Sequence, residues 1–97
     1  MASFEAHCEE SVQLFGDRFE HVHLWLDEFA GTPAYRSRHR RARHHEAGLR
    51  EVERLFGPAA VPVARRHIIT DLEGEGWQQD RDVFPADEMH YKRLGYW

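Results

Sequence analysis

The chain has 97 residues, of which eight are histidine, and a formal net charge of −4. This length suits one small domain, and 41% hydrophobic content is enough for a folded core. No apolar run approaches the roughly 20 residues that cross a membrane, and a single cysteine excludes an internal disulfide and a multi-cysteine zinc site. The acidic first residues lack the regions of a signal peptide, so we expect a cytoplasmic protein.

Four stretches carry the 3.6-residue periodicity and the end signals of helices. They predict helices over 4–15, 18–30, 33–56 and 64–73, joined at 58–63 by an extended, proline-rich connection. In the first helix the apolar stripe is Phe4, Cys8, Val12 and Phe15. We therefore predict a small all-α, four-helix domain over residues 1–76, followed by an irregular aromatic tail over 77–97.

Charge is laid out in three blocks, with net charges of −6 over residues 1–35, +6 over 36–66 and −4 over 67–97. This layout favours internal ion pairs. Arg38 and Arg41 lie on the apolar side of the third helix, and we expect them to pair with Asp27, Glu28 or Asp71. Binding of RNA or DNA through residues 36–43 is less favoured, because these arginines point all round the helix.

Each predicted helix places a histidine on or beside its apolar face, which indicates a buried His/Asp metal site. Two of these histidines have an aspartate four residues later, a spacing that lets both side chains meet one ion. The predicted ligands of the site are His7, His23, His45, His67, Asp27 and Asp71. The residues expected to orient these ligands are His39, His44, Arg38 and Arg41. The ligand types suit zinc, iron, manganese or nickel, and an enzyme of this kind would perform metal-assisted hydrolysis or iron chemistry.

A different class of function stays open from the same residues. The histidines can form a hydrogen-bonded polar core in a non-catalytic accessory subunit of a larger complex. The last seven residues include Tyr91, Tyr96 and Trp97, and Tyr and Trp are typical interface anchors. We therefore predict that the tail contacts a protein partner or a second copy of the chain.

Several short motifs occur in an order that resembles a known family. They are His7…Ser11-Val12…Phe15-Gly16, His23-Leu24-Trp25-Leu26-Asp27, RHRRARHHEAG at 38–48, Glu53…Phe56-Gly57 and His67…Asp71-Leu72. This pattern is similar to that of small uncharacterised bacterial and phage proteins with an IHxW-type helix, an RHR…HH helix and an HxxxDL segment. The resemblance covers roughly residues 7–76, although the connection at 58–63 is shorter and the tail after Trp77 does not match. It implies a grouping of the histidines and adds no chemistry.

Overall fold

A computed structural model describes residues 3–96, which fold into helices without any strand. The six helices are α1 Phe4–Phe15, α2 Glu20–Leu26, α3 Arg40–Arg43, α4 Glu46–Phe56, α5 Ala60–Gly74 and α6 Glu88–Arg93. The predicted all-α class is confirmed, with six helices in this range where the sequence pattern indicates four. None of the helices in residues 3–96 has the length and apolar character needed to cross a membrane.

The apolar core lies between α4 and α5 and is closed by α2 and the C-terminal segment. Leu49 and Val52 of α4 are buried against Ile68 and Leu72 of α5. Burying side chains of this size contributes about 1.5–3 kcal/mol each. This packing holds α5 rigidly, and α5 carries two of the polar side chains discussed below.

The prediction of one helix over 33–56 is wrong, because the chain breaks at His45. His45 is extended, with φ −163° and ψ 177°, and its Nδ1 accepts a hydrogen bond from the backbone of Gly48 as the N-cap of α4. Its Nε2 donates to the carbonyl oxygens of Arg41 and Ala42. One imidazole thus satisfies both the end of α3 and the start of α4, although histidine is not among the usual N-cap residues.

The stretch before α3 is also less helical than its sequence suggests. The Thr32 hydroxyl donates to the carbonyl of Phe29 instead of capping a helix, and Arg36 has a positive φ of 54°. The second helix ends at Leu26 rather than at residue 30. Residues 27–39 therefore form turns, which return the chain across the end of α2.

The prediction of an extended connection at 58–63 is wrong, because α5 begins at Ala60 and Ala59 before it has helical backbone angles. Pro62 lies in the first turn of α5. Proline is tolerated there because the first backbone N–H groups of a helix have no intrahelical acceptor.

The tail packs against the domain and is partly helical. Trp77 and Tyr91 are buried in the core, and the backbone of α4 donates from Glu46 to the carbonyl of Pro85. The prediction that Tyr91 contacts a partner is wrong for this fold, because its side chain is 0% exposed. Tyr96 is partly buried against the same core, and Trp97 lies outside the described residues.

The close approach of α3 to α4 makes Gly48 a sensitive position. A Cβ atom built there would overlap the backbone carbonyl oxygen of Arg43. We predict that Gly48→Ala lowers the free energy of unfolding by more than about 2 kcal/mol, since neither backbone can yield easily. Gly74→Ala is the control, because a Cβ at this helical glycine meets nothing within 4 Å, and it should be neutral or stabilising by up to about 1 kcal/mol. Urea unfolding followed by circular dichroism measures both, and equal stability of the two variants would contradict the prediction.

Candidate metal centre

The buried face of α1 is polar. His7, Cys8 and Ser11 are buried, whereas Val12 and Phe15 of the predicted apolar stripe are 46% and 37% exposed. Burying imidazole and hydroxyl groups costs free energy unless they find polar partners. The partners therefore have to come from the elements packed against α1.

Three other elements bring polar side chains to this face. His23 lies in α2, and Asp27 is the residue that ends it. His44 ends α3, immediately before the break at His45. His67 and Asp71 lie four residues apart on α5, on one face of the helix. The break between α3 and α4 is what turns the His44 ring towards α5.

Two aspartates and two histidines form one group of possible ligands, here called the 2-His-2-Asp cluster: Asp27, His44, His67 and Asp71. His44 Nε2 is 3.1 Å from Asp71 Oδ2 and 3.5 Å from Asp27 Oδ1. His67 Nε2 is 3.3 Å from Asp71 Oδ2 and 3.4 Å from Asp27 Oδ2. Ligands about 2.0–2.1 Å from a tetrahedral zinc ion are separated by about 3.3 Å. The four nitrogen–oxygen separations are close to this value, and one ligand atom from each of the four residues lies within 4.8 Å of the other three.

His67 Nε2 is buried and forms no hydrogen bond, although it lies among carboxylate oxygens of Asp27 and Asp71. A buried polar atom without a hydrogen bond calls for an explanation such as a bound ion. Two carboxylates that approach the same point also repel each other unless a cation lies between them. Both observations identify the region around His67 Nε2 as a place suited to a cation.

A second possible ligand group, His7 with His23 and His67, has an unfavourable geometry. The rings of His7 and His67 stack with centroids 3.6 Å apart and planes 16° apart. The lone pair of an imidazole nitrogen lies in its ring plane, so two stacked rings cannot direct their lone pairs at one ion. The rings of His44 and His67 are inclined by 70° and can converge.

A buried hydrogen-bonded chain leads away from the other nitrogen of His67. His67 Nδ1 is 2.8 Å from His23 Nδ1, and His23 Nε2 is 2.7 Å from Ser11 Oγ. Such a chain decides which ring nitrogen of His67 carries a proton. His44 Nδ1 has no hydrogen-bond partner among the described residues, so His67 is the histidine of the cluster whose ring orientation is fixed from behind.

The two aspartates are held from their outer sides. Asp71 Oδ1 accepts a hydrogen bond from His7 Nε2 at 3.2 Å and lies 3.5 Å from Arg40 Nη2. Asp27 Oδ1 accepts from His39 Nε2 at 3.1 Å. On the inner side, Asp71 Oδ2 is hydrogen-bonded to His44 Nε2 at 3.1 Å. Both Asp71 Oδ2 and Asp27 Oδ2 lie beside His67 Nε2.

The electrostatics of the cluster keep its carboxylates ionised. Burial alone would raise the pKa of Asp71, but His44, His67 and His7 beside it hold that pKa well below its usual range. For Asp27, His39 and His67 outweigh burial in the same way and lower its pKa.

The histidines of the site differ from one another. Burial lowers the pKa of His44 to about 4 and, with the charge of His67, that of His23 to about 3. Burial opposes a charge on His67 as well, but the carboxylates of Asp27 and Asp71 outweigh it and raise its pKa. Without a metal, a proton on His67 would place a positive charge beside the two carboxylates, which is the position that a bound cation would take.

Of the predicted ligands, Asp27, His67 and Asp71 lie in the cluster, whereas His7 and His23 contact it from outside. His45 does not reach it, because its ring is used at the α3–α4 junction, and His44 lies at the position we assigned to His45. The continuous helix assumed for 33–56 placed these two rings incorrectly.

Two contributors to the site are absent from the predicted set, Ser11 and Arg40. Arg40 lies against Asp71 and donates to Glu75 at 2.8 Å. The pairing predicted for Arg41 is wrong, since no carboxylate in residues 3–96 lies within ion-pair distance of it. The sequence could have indicated Ser11, because it lies one helical turn after His7 and therefore on the same face of α1. It could not have indicated Arg40, because the direction of that side chain depends on the break at His45.

A family model described as a domain of unknown function, DUF6915, matches residues 2–90. No curated protein and no solved structure matches the chain. The match spans α1 to α5 and therefore includes every residue of the 2-His-2-Asp cluster.

The pKa shifts predict that metal-free protein is most stable near pH 6.5. His23 and His44 stay neutral when folded, whereas an unfolded histidine binds a proton below about pH 6.5. The free energy of unfolding should therefore fall between pH 6.5 and about 4, by up to about 1.4 kcal/mol per pH unit for each histidine. His67 affects the stability in the opposite direction, because its folded pKa is raised. Its contribution to the free energy of unfolding is complete below pH 6.5 and is lost as the pH rises through that raised pKa.

Urea unfolding with excess chelator at several pH values measures this dependence. His23→Gln should reduce the slope below pH 6.5, whereas His21→Gln, at an exposed position two residues earlier, should leave it unchanged. A free energy of unfolding that is constant from pH 4.5 to 6.5 would contradict the prediction.

Proposed function

We propose that this chain, which belongs to the DUF6915 family of domains of unknown function, binds one divalent transition-metal ion in its 2-His-2-Asp cluster. The observation that carries the proposal is the arrangement around His67 Nε2. This buried nitrogen makes no hydrogen bond and lies 3.3 Å and 3.4 Å from two carboxylates. A cation at the common centre would take up the lone pair and separate the two negative charges.

The spacing favours zinc among the metals that these ligand types suit. Two imidazoles and two carboxylates would complete a tetrahedral site, and the four nitrogen–oxygen separations of 3.1–3.5 Å are close to the edges of such a site. Iron, manganese and nickel take the same ligands in six-coordinate sites that keep solvent positions. Elemental analysis of protein purified without a His tag decides between them.

The hydrogen-bonded chain behind His67 supports this function. To present a lone pair from Nε2, His67 must carry its proton on Nδ1, from which it donates to His23 Nδ1. His23 then carries its own proton on Nε2 and donates to Ser11 Oγ. The lowered pKa of His23 keeps that ring neutral and able to accept. His23 is therefore assigned as the residue that orients a ligand, a role common behind metal-bound histidines.

The site is open to solvent on one side. The side chain of Asp27 is 30% exposed, whereas those of His44, His67 and Asp71 are at most 2% exposed. The side of Asp27 is therefore where water would reach a bound ion. A metal ion that kept an open coordination position there would polarise a bound water or carbonyl oxygen, so metal-assisted hydrolysis is the reaction class that we propose for such an ion. A zinc ion held by all four side chains would instead be structural.

A hydrogen-bonded polar core without metal, in an accessory subunit, uses the same residues and is the competing function. The adjacent pair His44 and His45 separates the two. We predict that His44→Ala loses the bound metal, whereas His45→Ala keeps one ion per chain and loses only about 0.5–2 kcal/mol of stability with its helix cap. Elemental analysis and thermal melting with and without chelator measure the two effects.

Chelator should lower the melting temperature of the wild type and of His45→Ala, because a metal that binds only the folded state stabilises it. His44→Ala should melt at the same temperature with and without chelator. Absence of metal from the wild type, together with melting that chelator does not change, would exclude the metal function and leave the polar core.

The role of His23 yields a separate prediction. His23→Phe removes the acceptor for His67 Nδ1 but no proposed ligand, so one ion should still bind, with an affinity about 10–100-fold lower. His21→Phe on the same helix is the control and should bind as the wild type does. Competition with a fluorescent chelator gives the affinities. An unchanged affinity in His23→Phe would show that this chain does not orient His67.

A further inference from the structure

The exposed aspartate of the 2-His-2-Asp cluster, Asp27, is held differently from the buried one. The Oδ1 atom of Asp71 has two buried neighbours, His7 Nε2 at 3.2 Å and Arg40 Nη2 at 3.5 Å. The Oδ1 atom of Asp27 accepts a hydrogen bond from His39 Nε2 at 3.1 Å. The side chain of Asp27 is also 30% exposed, whereas that of Asp71 is 2% exposed. The carboxylate that water can reach is therefore restrained mainly by one imidazole.

The ring of His39 has no other hydrogen bond within residues 3–96. His39 is the N-cap of α3, yet its side chain makes no capping hydrogen bond. Its Nδ1 is buried and has no hydrogen-bond partner in that range, so Nε2 is the nitrogen that the ring uses. The pKa of Asp27 is held low, and an ionised carboxylate can only accept hydrogen bonds. The proton of this bond is therefore on His39 Nε2.

His44 also lies near Asp27 Oδ1, but it cannot hold this oxygen once a metal is bound. His44 Nε2 is 3.5 Å from the oxygen. In the proposed site this nitrogen gives its lone pair to the metal, so it carries no proton that it could donate. Among the side chains of residues 3–96, His39 then remains as the donor to Asp27 Oδ1.

We propose, on the basis of the metal function proposed above, that His39 is a positioning residue that makes Asp27 bind the metal through one oxygen only. A carboxylate can bind a metal through one or both of its oxygens. The hydrogen bond from His39 occupies Oδ1 and leaves Oδ2, which lies 3.4 Å from His67 Nε2, as the ligand atom. A coordination position then stays open on the exposed side, which is the position that metal-assisted hydrolysis requires.

Removal of this hydrogen bond should close the open position. Without a donor at Oδ1, both oxygens of Asp27 can bind the ion, and the second oxygen takes the place of a water molecule. His39→Phe removes the donor, and His39→Leu is a second such variant with a smaller side chain. His39→Gln keeps an N–H group at about the place of Nε2 and should behave as the wild type does. His21→Phe, at an exposed position of α2, is the matched control outside the site.

Loading the full chain with cobalt(II), which takes the same ligand types as zinc, makes the coordination visible by absorption spectroscopy. The visible absorption of cobalt(II) is strong in four-coordinate sites and weakens as further ligands bind. Azide changes this absorption where it can occupy an open position. We expect cobalt-loaded wild type, His39→Gln and His21→Phe to bind azide saturably. His39→Phe and His39→Leu should keep one cobalt ion, absorb more weakly without azide and bind azide at least about tenfold less tightly.

The outcomes separate the role of His39 from the metal function on which it rests. A wild type that binds no cobalt would overturn both. A wild type that binds cobalt but whose absorption does not respond to azide would overturn the role of His39 and leave a closed metal site. Equal azide binding by wild type and His39→Phe would also overturn it. An equal loss in His39→Phe and His39→Gln would do the same, because the second variant retains the donor.

Discussion

The approach of two buried carboxylates to one imidazole is the constraint on which the rest of this structure depends. Asp27 and Asp71 come from different helices and meet at His67 Nε2. Two negative charges in a largely buried site are destabilising unless positive charges or hydrogen-bond donors surround them. The fold supplies them from every side through His39, His7 and Arg40, which contact the outer oxygens. Near the inner oxygens, His44 Nε2 is hydrogen-bonded to Asp71 Oδ2, and either a proton on His67 or a metal ion in its place would supply the remaining positive charge.

This requirement explains the unusual amphipathicity of α1. The helix turns His7 and Ser11 inward and leaves Val12 and Phe15 partly exposed, which reverses the usual preference of side chains for the core. His7 supports Asp71, and Ser11 ends the chain that fixes His67. The polar contacts with the 2-His-2-Asp cluster thus determine which face of α1 points inward, and the apolar residues of its other face stay partly exposed.

A structural feature of this protein could be predicted from the sequence when local contacts determine it, and could not when long-range contacts do. The all-α class and the bounds of α1 follow from Ser3, Gly16 and the helical period, which are local signals. The i, i+4 pair His67 and Asp71 was equally visible, because it needs only one helix.

The long-range features were not visible in the same way. The choice between His44 and His45 depends on a helix break made by an imidazole cap and by the fit of Gly48 against Arg43. Both are tertiary contacts, which cannot be inferred from the spacing of residues in the sequence. The burial of Tyr91 depends likewise on how the tail returns to the core.

The dispersed origin of the cluster has a consequence for folding. His67 and Asp71 come together as soon as α5 forms, but Asp27 and His44 join them only when α2 and the α3–α4 junction have docked. A partly folded chain therefore offers at most a weak two-residue site, and the ion would be captured late, after the rate-limiting contacts between distant segments. Bound metal would slow the unfolding of the finished domain far more than it would speed its folding.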